Sequence, residues 1–112
     1  MPRAEASART ADPAPVFAAL GDRTRLYLLT RLSDGRTRSI AKLSADTSLT
    51  RQAVTKHLEV LENAGLVASS RTGRERSFTF RPEPVADARA FLDTVSAQWD
   101  DALGRLQAFV ED

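Results

Sequence analysis

Apolar residues recur every three or four positions in five stretches of this chain, and that spacing predicts helices. Four of the stretches precede a segment with a different, alternating pattern, and one long stretch follows it. We expect helices at about residues 13–20, 23–32, 38–45, 50–65 and 83–110. The chain is therefore predicted to be mostly α-helical, and its 112 residues are enough for one domain.

The alternating segment, residues 66–80, is rich in β-forming residues toward its end and predicts a two-stranded hairpin. Thr72 and Gly73 offer the turn between the strands. The period of two predicts that Val67, Phe78 and Phe80 face the core, with Ser69, Ser77 or Thr79 toward water.

Three arginines cluster at the predicted tip of this hairpin, Arg71, Arg74 and Arg76. A hairpin can lay such side chains along a phosphate backbone. The alternative is an ordinary solvated tip, where arginines are common. We favour phosphate contact because the hairpin directly follows two short helices joined by a tight link, which is a helix-turn-helix pattern.

Residues 50–65 form the second helix of that pattern, with Thr50 as a suitable N-cap and Gly65 as a suitable stop. The N-terminal half of its outward face is rich in hydrogen-bond donors, and the C-terminal half carries Glu59 and Glu62. This polarity suits a recognition helix that enters the major groove by its N-terminal end. Considered alone, the helix is explained equally well as an ordinary solvated face of mixed charge.

His57 is the single histidine and lies on the apolar side of the same helix. It could contact a phosphate or act as a pH-dependent switch. We favour a half-buried histidine bonded to the neighbouring helix. The chain has no cysteine, and no serine–acid pair is tied to His57 by spacing, so we predict neither a catalytic site nor an enzyme.

The net charge of +1 is distributed unevenly. Residues 1–81 contain 14 Lys and Arg against 8 Asp and Glu, whereas residues 82–112 contain 2 against 7. A basic body with an acidic end suggests that one face meets a polyanion. No run approaches the roughly 18 apolar residues of a membrane span, and the absence of cysteine fits a reducing compartment, so we expect a cytoplasmic protein that does not associate with membranes.

The first 12 residues lack the apolar core of a secretory signal and are predicted to be a disordered tail. A basic arm that grips phosphates is the less favoured alternative.

The last predicted helix would span roughly 40 Å, which is longer than so small a body can cover. Its uncovered apolar stripe needs another surface, and a second copy of the chain is the simplest source. The alternative is that it folds back on the first helix of its own chain. We expect both, with the first and last helices together forming a dimer contact that contains Val16, Phe17, Leu20, Phe91, Leu92, Val95, Trp99, Leu103 and Leu106.

The run from Val16 to Phe80 resembles the ArsR-type winged helix-turn-helix repressors. The motifs that carry the resemblance are FAALGDRTRLYLL, SIAKL and LTRQAVTKHLEVLENAGLV, followed by the hairpin with its arginine tip. The similarity extends through the tryptophan-bearing last helix. It implies a homodimer that binds a near-palindromic operator in double-stranded DNA, usually in the promoter of its own operon. Within the family, the chain looks closest to the subgroup often encoded beside small helix-grip, ligand-binding proteins.

The resemblance assigns DNA contact to the outward positions of the helix at residues 50–65 and to the wing. With the N-cap and His57 included, the predicted DNA-binding residues are Thr50, Arg51, Gln52, Thr55, Lys56, His57, Arg71, Arg74 and Arg76.

The chain departs from the metal-sensing members of that family. Those members place paired cysteines in the third helix, where this chain has SIAKLSADT, or Asp and His ligands along the last helix, which here has no histidine. We therefore predict no metal and no other cofactor. The identity of a small-molecule effector, or whether one exists, stays open.

These observations predict a sequence-specific DNA-binding repressor. Its winged helix-turn-helix domain would occupy residues 13–82 and its C-terminal dimerisation helix residues 83–112. The alternative is a winged-helix module for protein–protein contact without DNA binding, because fold alone does not fix function. Glu59 and Glu62 on the second helix mildly favour that alternative, since a polyanion would repel them.

Overall fold

The computed structural model describes residues 12–111. In chain order the elements are α1 (Ala14–Leu20), α2 (Arg23–Leu32), β1 (Arg38–Ser39), α3 (Ile40–Ala45), α4 (Arg51–Asn63), β2 (Val67–Thr72), β3 (Glu75–Phe80) and α5 (Glu83–Glu111). The predicted fold class is confirmed, since five helices accompany a small β-hairpin. The predicted tail lies outside the described residues, apart from Asp12.

The caps of α2 and α4 show why these helices begin where the sequence predicted. The Asp22 carboxylate accepts a hydrogen bond from the backbone N–H of Arg25 at 3.0 Å, and the Thr50 hydroxyl accepts from that of Ala53 at 3.1 Å. Each bond satisfies an amide that the helix itself leaves without a partner. The bond from Arg25 also lowers the pKa of the Asp22 carboxyl.

The end of α4 is set by Gly65, whose φ of 79° lies in the left-handed region. The Gly65 amide donates to the Glu62 carbonyl, and the Leu66 amide donates to the Leu61 carbonyl, both at 2.9 Å. These two bonds form the Schellman stop. They turn the chain directly into β2 and so fix where the hairpin starts relative to α4.

The predicted start of the third helix, at about residue 38, was wrong. Arg38 and Ser39 form a short strand that pairs with Phe78 and Ser77 of β3, so the sheet has three strands in the order β1-β3-β2. The helix begins only at Ile40, because Ser39 is extended and its hydroxyl caps the Lys42 amide at 3.1 Å. The pairing gives the outer edge of β3 the hydrogen-bond partners that an isolated hairpin would lack.

The hairpin turn lies one residue later than predicted. Thr72 still pairs with Glu75, so Gly73 and Arg74 are the two turn residues. Gly73 has a φ of 62°, and glycine is the residue favoured at this first central position of a type II′ turn. The expectation for Ser69 was also wrong, because its hydroxyl faces α4 and donates to Glu62 Oε2 at 2.6 Å.

The core lies between the first four helices and the inner face of the sheet, and α5 joins it only at its start. Ala88 is the single buried residue in the described part of α5, and Val85 packs beside the core. Further along α5, the Phe91 ring contacts the Phe17 ring of α1, with centroids 5.9 Å apart. The radius of gyration of 18.7 Å exceeds the roughly 13 Å of a compact chain of this length, because the rest of α5 projects from the body.

Candidate nucleic-acid interface

The packing of α4 determines which of its side chains point outward. Val54, Leu58 and Leu61 are fully buried and hold one face of the helix against the core. The opposite face therefore points away from the body, and Arg51, Gln52 and Lys56 are exposed on it. The predicted donor-rich surface exists at the N-terminal half of α4.

Thr55 lies on the same outward face but is only half-exposed. Its hydroxyl donates to the Arg51 carbonyl at 2.7 Å. The hydroxyl proton is therefore used within the helix, while the oxygen lone pairs and the methyl group remain available. Thr55 can accept a hydrogen bond from a base or make apolar contact with a thymine methyl group.

The wing tip and the N-terminal half of α4 border the same groove. This groove has a volume of about 260 Å³, and its lining includes Arg51, Gln52, Thr55 and Arg74. Arg71 and Arg74 are exposed, and in residues 12–111 neither forms an ion pair. The structure thus brings together two groups of residues that are about 20 positions apart in the sequence.

Arg76 is not at the exposed tip, which corrects the prediction for this residue. Its guanidinium lies 2.9 Å from Glu62 Oε1 and 3.3 Å from Glu59 Oε2, and it stacks over the Phe78 ring at 5.0 Å. We call this contact between the wing and α4 the clasp. The sequence held a signal for it, because the period of two places Arg76 on the same strand face as Phe78 and Phe80.

The clasp changes the interpretation of the two glutamates on α4. Glu59 and Glu62 share one wing arginine, so one of their two negative charges is compensated within the protomer. The acidic surface that a polyanion would approach is therefore smaller than the sequence suggests. The feature that mildly favoured a protein-contact module is a structural contact instead.

We expect Arg76→Gln to lower the free energy of unfolding by about 1 kcal/mol, because it leaves two partly exposed carboxylates without their partner. Arg71→Gln is the matched control, since Arg71 lies opposite Arg76 on the neighbouring strand and is exposed. Urea denaturation, monitored by circular dichroism, measures the free energy of unfolding of both variants. Equal midpoints for the two variants would show that the clasp does not stabilise the wing.

His57 faces α2 and lies to one side of the donor-rich surface. Its Nδ1 lies 3.3 Å from Arg25 Nη1 and 3.7 Å from Asp22 Oδ2, and its side chain is 26% exposed. The Arg25 Nε atom in turn donates to the Ala19 carbonyl at 2.6 Å. His57 is thus the half-buried histidine bonded to a neighbouring helix that the sequence favoured, and it braces α4 against the start of α2.

The cations of the described residues divide into two classes. Arg31, Arg38, Arg76 and Arg81 are paired with acids of the same chain. Six exposed cations without an acidic partner in residues 12–111 lie before α3, on α3, on the first half of α4 and on the wing: Arg36, Lys42, Arg51, Lys56, Arg71 and Arg74. Arg23, Arg89 and Arg105 are also exposed and without an acidic partner in residues 12–111, so six of these nine unpaired cations lie on the loop before β1, α3, the first half of α4 and the wing.

The residues predicted for the dimer contact fall into two groups. Val16 is only 7% exposed and belongs to the core of the protomer, so we do not retain it as a surface residue. Phe17 and Leu20 are half-buried beside the core. The remaining six predicted residues are exposed on α5, and Phe109 and Val110 extend the same surface. We define the stripe as Phe91, Leu92, Val95, Trp99, Leu103, Leu106, Phe109 and Val110.

Two further features are absent from the described residues. Within residues 12–111, no group of three or more histidine, aspartate or glutamate side chains is arranged to hold a metal ion. Across the same residues, no helix combines the length and the apolar character needed to cross a membrane.

Comparisons with known proteins agree with this geometry. A family model for bacterial regulatory proteins of the arsR family matches residues 22–69. The uncharacterized HTH-type transcriptional regulator YuzN of Bacillus subtilis is 45% identical over 76 residues, which are 62% of this chain and 83% of that protein. An ArsR-like transcriptional regulator from Rhodococcus sp. RHA1 superposes with a TM-score of 0.75 at 35% identity, over 87% of this chain and 91% of the other.

A further solved structure is described as the homodimeric winged helix-turn-helix DNA-binding domain of Mb0332 from Mycobacterium bovis. It superposes with a TM-score of 0.62 at 27% identity, over 82% of this chain and 85% of that chain.

The helix pair α3–α4, the hairpin behind it and the surface that they share define a winged helix-turn-helix DNA-binding transcriptional regulator. The relatives named above are described as transcriptional regulators or, for Mb0332, as a winged helix-turn-helix DNA-binding domain. The chain belongs to the ArsR family of bacterial regulatory proteins, which confirms the family predicted from its motifs.

Proposed function

We propose that this regulator is a homodimeric repressor that binds a near-palindromic operator in the promoter of its own operon. The observation that supports DNA contact most directly is the groove bordered by both the α4 donors and the wing tip. By occupying the promoter, the dimer excludes RNA polymerase. The protein acts in the cytoplasm because its target is the bacterial chromosome.

The roles of the individual side chains follow from their positions. Arg51 and Gln52 read base edges, because they are exposed at the N-terminal end of α4, which enters the major groove. Thr55 adds a short-range contact to the same bases. Lys56, Arg71 and Arg74 bind phosphates, and Thr50 holds the first turn of α4 in place. Arg76 and His57 position α4 and the wing without touching DNA.

Dimerisation is assigned to the apolar stripe of α5 together with Phe17 and Leu20 of α1. An exposed stripe of eight large apolar residues is more than a monomeric regulator of this size leaves in water. A symmetric pair of subunits covers it and presents two copies of α4 to one side of the duplex. The proposed boundary at residue 83 separates the DNA-binding part from the dimerisation part by role. It does not separate two cores, because the first turns of α5 complete the core of the winged domain.

No small-molecule effector and no catalytic role are assigned. The resemblance to the subgroup encoded beside ligand-binding proteins leaves room for regulation by a partner protein or ligand.

The proposed function is tested by fluorescence anisotropy with the chain's own upstream DNA and with a shuffled duplex of equal composition. We expect tighter binding to the upstream fragment and a complex with two chains per duplex. Half-sites should be separated by about 34 Å, one turn of the duplex, or a multiple of it. A purified protein that binds both duplexes equally weakly at low salt would overturn the proposal.

We expect Arg74→Ala to weaken binding to all sequences alike. Each lost phosphate contact should reduce the slope of log K against log salt by roughly one unit. Arg81→Ala is the control, because Arg81 lies at the base of the wing, far from the tip, and is paired with Glu83 at 3.3 Å. A salt titration on the operator and on the shuffled duplex measures both variants. If Arg74→Ala changed the base preference instead, its assignment to phosphate would be wrong.

A further inference from the structure

A second groove lies beside the one that carries the predicted contacts. It has a volume of about 420 Å³ and is lined by residues of β1, α3 and the wing, together with the loop that precedes β1. The two grooves share Ser39 and Glu75 in their linings. The two grooves therefore adjoin at these residues, and we call the pair the trough, which runs from the start of α4 past the wing tip to Arg36 and Lys42.

The far end of the trough carries two cations that the sequence analysis did not single out. Arg36 and Lys42 are exposed, and within residues 12–111 neither is paired with an acid. Arg38 lines the same groove but is already occupied, because its guanidinium binds both carboxylate oxygens of Asp34 at 2.9 and 2.8 Å.

The backbone around Arg36 is held in one conformation. The Asp34 carboxylate also accepts from the Arg36 amide at 2.9 Å, and Arg38 donates to the Arg31 carbonyl at 2.6 Å. The hydrogen bonds from the Arg38 guanidinium, and then the bond from the Arg36 amide, lower the pKa of the Asp34 carboxyl. The loop is thus ordered and its acid compensated, so that Arg36 presents a free charge from a fixed position.

Among residues 12–111, Glu75 is the only acidic residue that lines either groove, and it lies where the two meet. It is exposed, and no cation of the described residues forms an ion pair with it. Of its two neighbours in sequence, Arg76 is held in the clasp, whereas Arg74 forms no ion pair in the described residues. An uncompensated carboxylate in the middle of a basic channel repels any polyanion that enters.

We propose that the trough is a second phosphate-contact surface, in which Arg36 and Lys42 bind the DNA backbone beyond the wing tip while Glu75 limits the affinity. This inference rests on the proposed function and adds to it a path for the backbone. Glu75 acts equally on all sequences, because it opposes the backbone and reads no base. The regulator therefore gives up affinity for the operator and for non-specific DNA alike, and the ratio of the two affinities is unchanged.

The test uses the full chain with single substitutions Arg36→Gln, Lys42→Gln and Glu75→Gln, and Arg81→Gln as the control for loss of one positive charge. Affinity for the operator and for a shuffled duplex is measured between about 0.05 and 0.3 M salt, a range that brackets physiological ionic strength. Circular dichroism melting of each variant confirms that it is folded.

We expect Arg36→Gln and Lys42→Gln each to weaken binding to both duplexes by about fivefold to tenfold at 0.1 M salt and to lower the salt slope by roughly one unit. Glu75→Gln should strengthen binding to both duplexes by about the same factor. The Arg81→Gln control should bind like the unmodified chain.

Each other result is informative. If the unmodified chain binds its operator but Arg36→Gln and Lys42→Gln bind as it does, the trough is not a contact surface and the proposed function stands. If Glu75→Gln weakens binding, the role given to this carboxylate is wrong. If the unmodified chain binds neither duplex, the proposed function fails and this inference fails with it.

Discussion

Leu106→Glu should convert the regulator into a monomer and lower its affinity for the operator by at least about 100-fold. Leu106 lies within the exposed stripe of α5 and is 58% exposed in its own protomer. In the proposed dimer the new carboxylate would be buried against apolar side chains without a partner, which is strongly unfavourable. A monomer then binds one half-site and loses the gain of about 10²–10⁴ that linked binding provides.

Analytical ultracentrifugation measures the mass, and the fluorescence of Trp99 reports on the interface. Trp99 is the only tryptophan of the chain and is 64% exposed in the isolated protomer. Its emission should lie at shorter wavelength in the unmodified dimer than in the variant, because the interface removes water from the indole ring.

Ala97→Glu is the matched control for this charge. Ala97 is exposed and lies nine residues before Leu106, about two and a half turns away, so it is on the opposite side of α5. It should leave both the mass and the DNA affinity unchanged. If Leu106→Glu remained dimeric, or if Ala97→Glu also dissociated, the assignment of the stripe to the dimer contact would be lost.

Gln52→Ala should reduce the preference for the operator over the shuffled duplex, and Arg51→Ala should do the same. Both side chains are exposed at the N-terminal end of α4 and line the groove. A good bidentate contact with a base discriminates by about 1–3 kcal/mol per half-site, so a symmetric pair of half-sites amplifies the loss. Affinity for the shuffled duplex should fall little for Gln52→Ala, which removes no charge, and more for Arg51→Ala, which removes one positive charge from the surface that faces the duplex.

The measurement is a titration of both duplexes at one salt concentration, followed by operator variants with single base changes. Base positions contacted by Gln52 should become insensitive to sequence in the Gln52→Ala protein. Arg74→Ala is the comparison, since it should weaken both duplexes equally. If Arg74→Ala altered the base preference and Gln52→Ala did not, the roles of helix and wing would have to be exchanged.

The helices were predictable because their determinants are local. The spacing of apolar residues fixed the buried face of α4, while Thr50 and Gly65 marked its ends through bonds to nearby backbone groups. The hairpin was recognisable for the same reason, although its turn was placed one residue early. Arg38 and Ser39 were misassigned to a helix, because strand β1 exists only through pairing with β3, which is about 40 residues away in the sequence.

The site was predicted less completely than the fold. The donors of α4 were found from one helical face, but the role of Arg76 depends on how the hairpin lies against α4, which no local pattern specifies. Arg36, Lys42 and Glu75 come from three separate segments and share a surface only in the folded chain. The sequence therefore predicted the chemistry of the interface better than its extent.

The projection of α5 from the body has a consequence for how the regulator responds to its own abundance. In the proposed dimer the subunits meet through the stripe of α5, whereas α4 and the wing are complete within each subunit. Below the dissociation constant of the dimer, promoter occupancy should rise with the square of the subunit concentration. Small changes in synthesis or dilution at cell division would then produce disproportionate changes in transcription, and the sharpness of that threshold is set by the apolar residues of one helix.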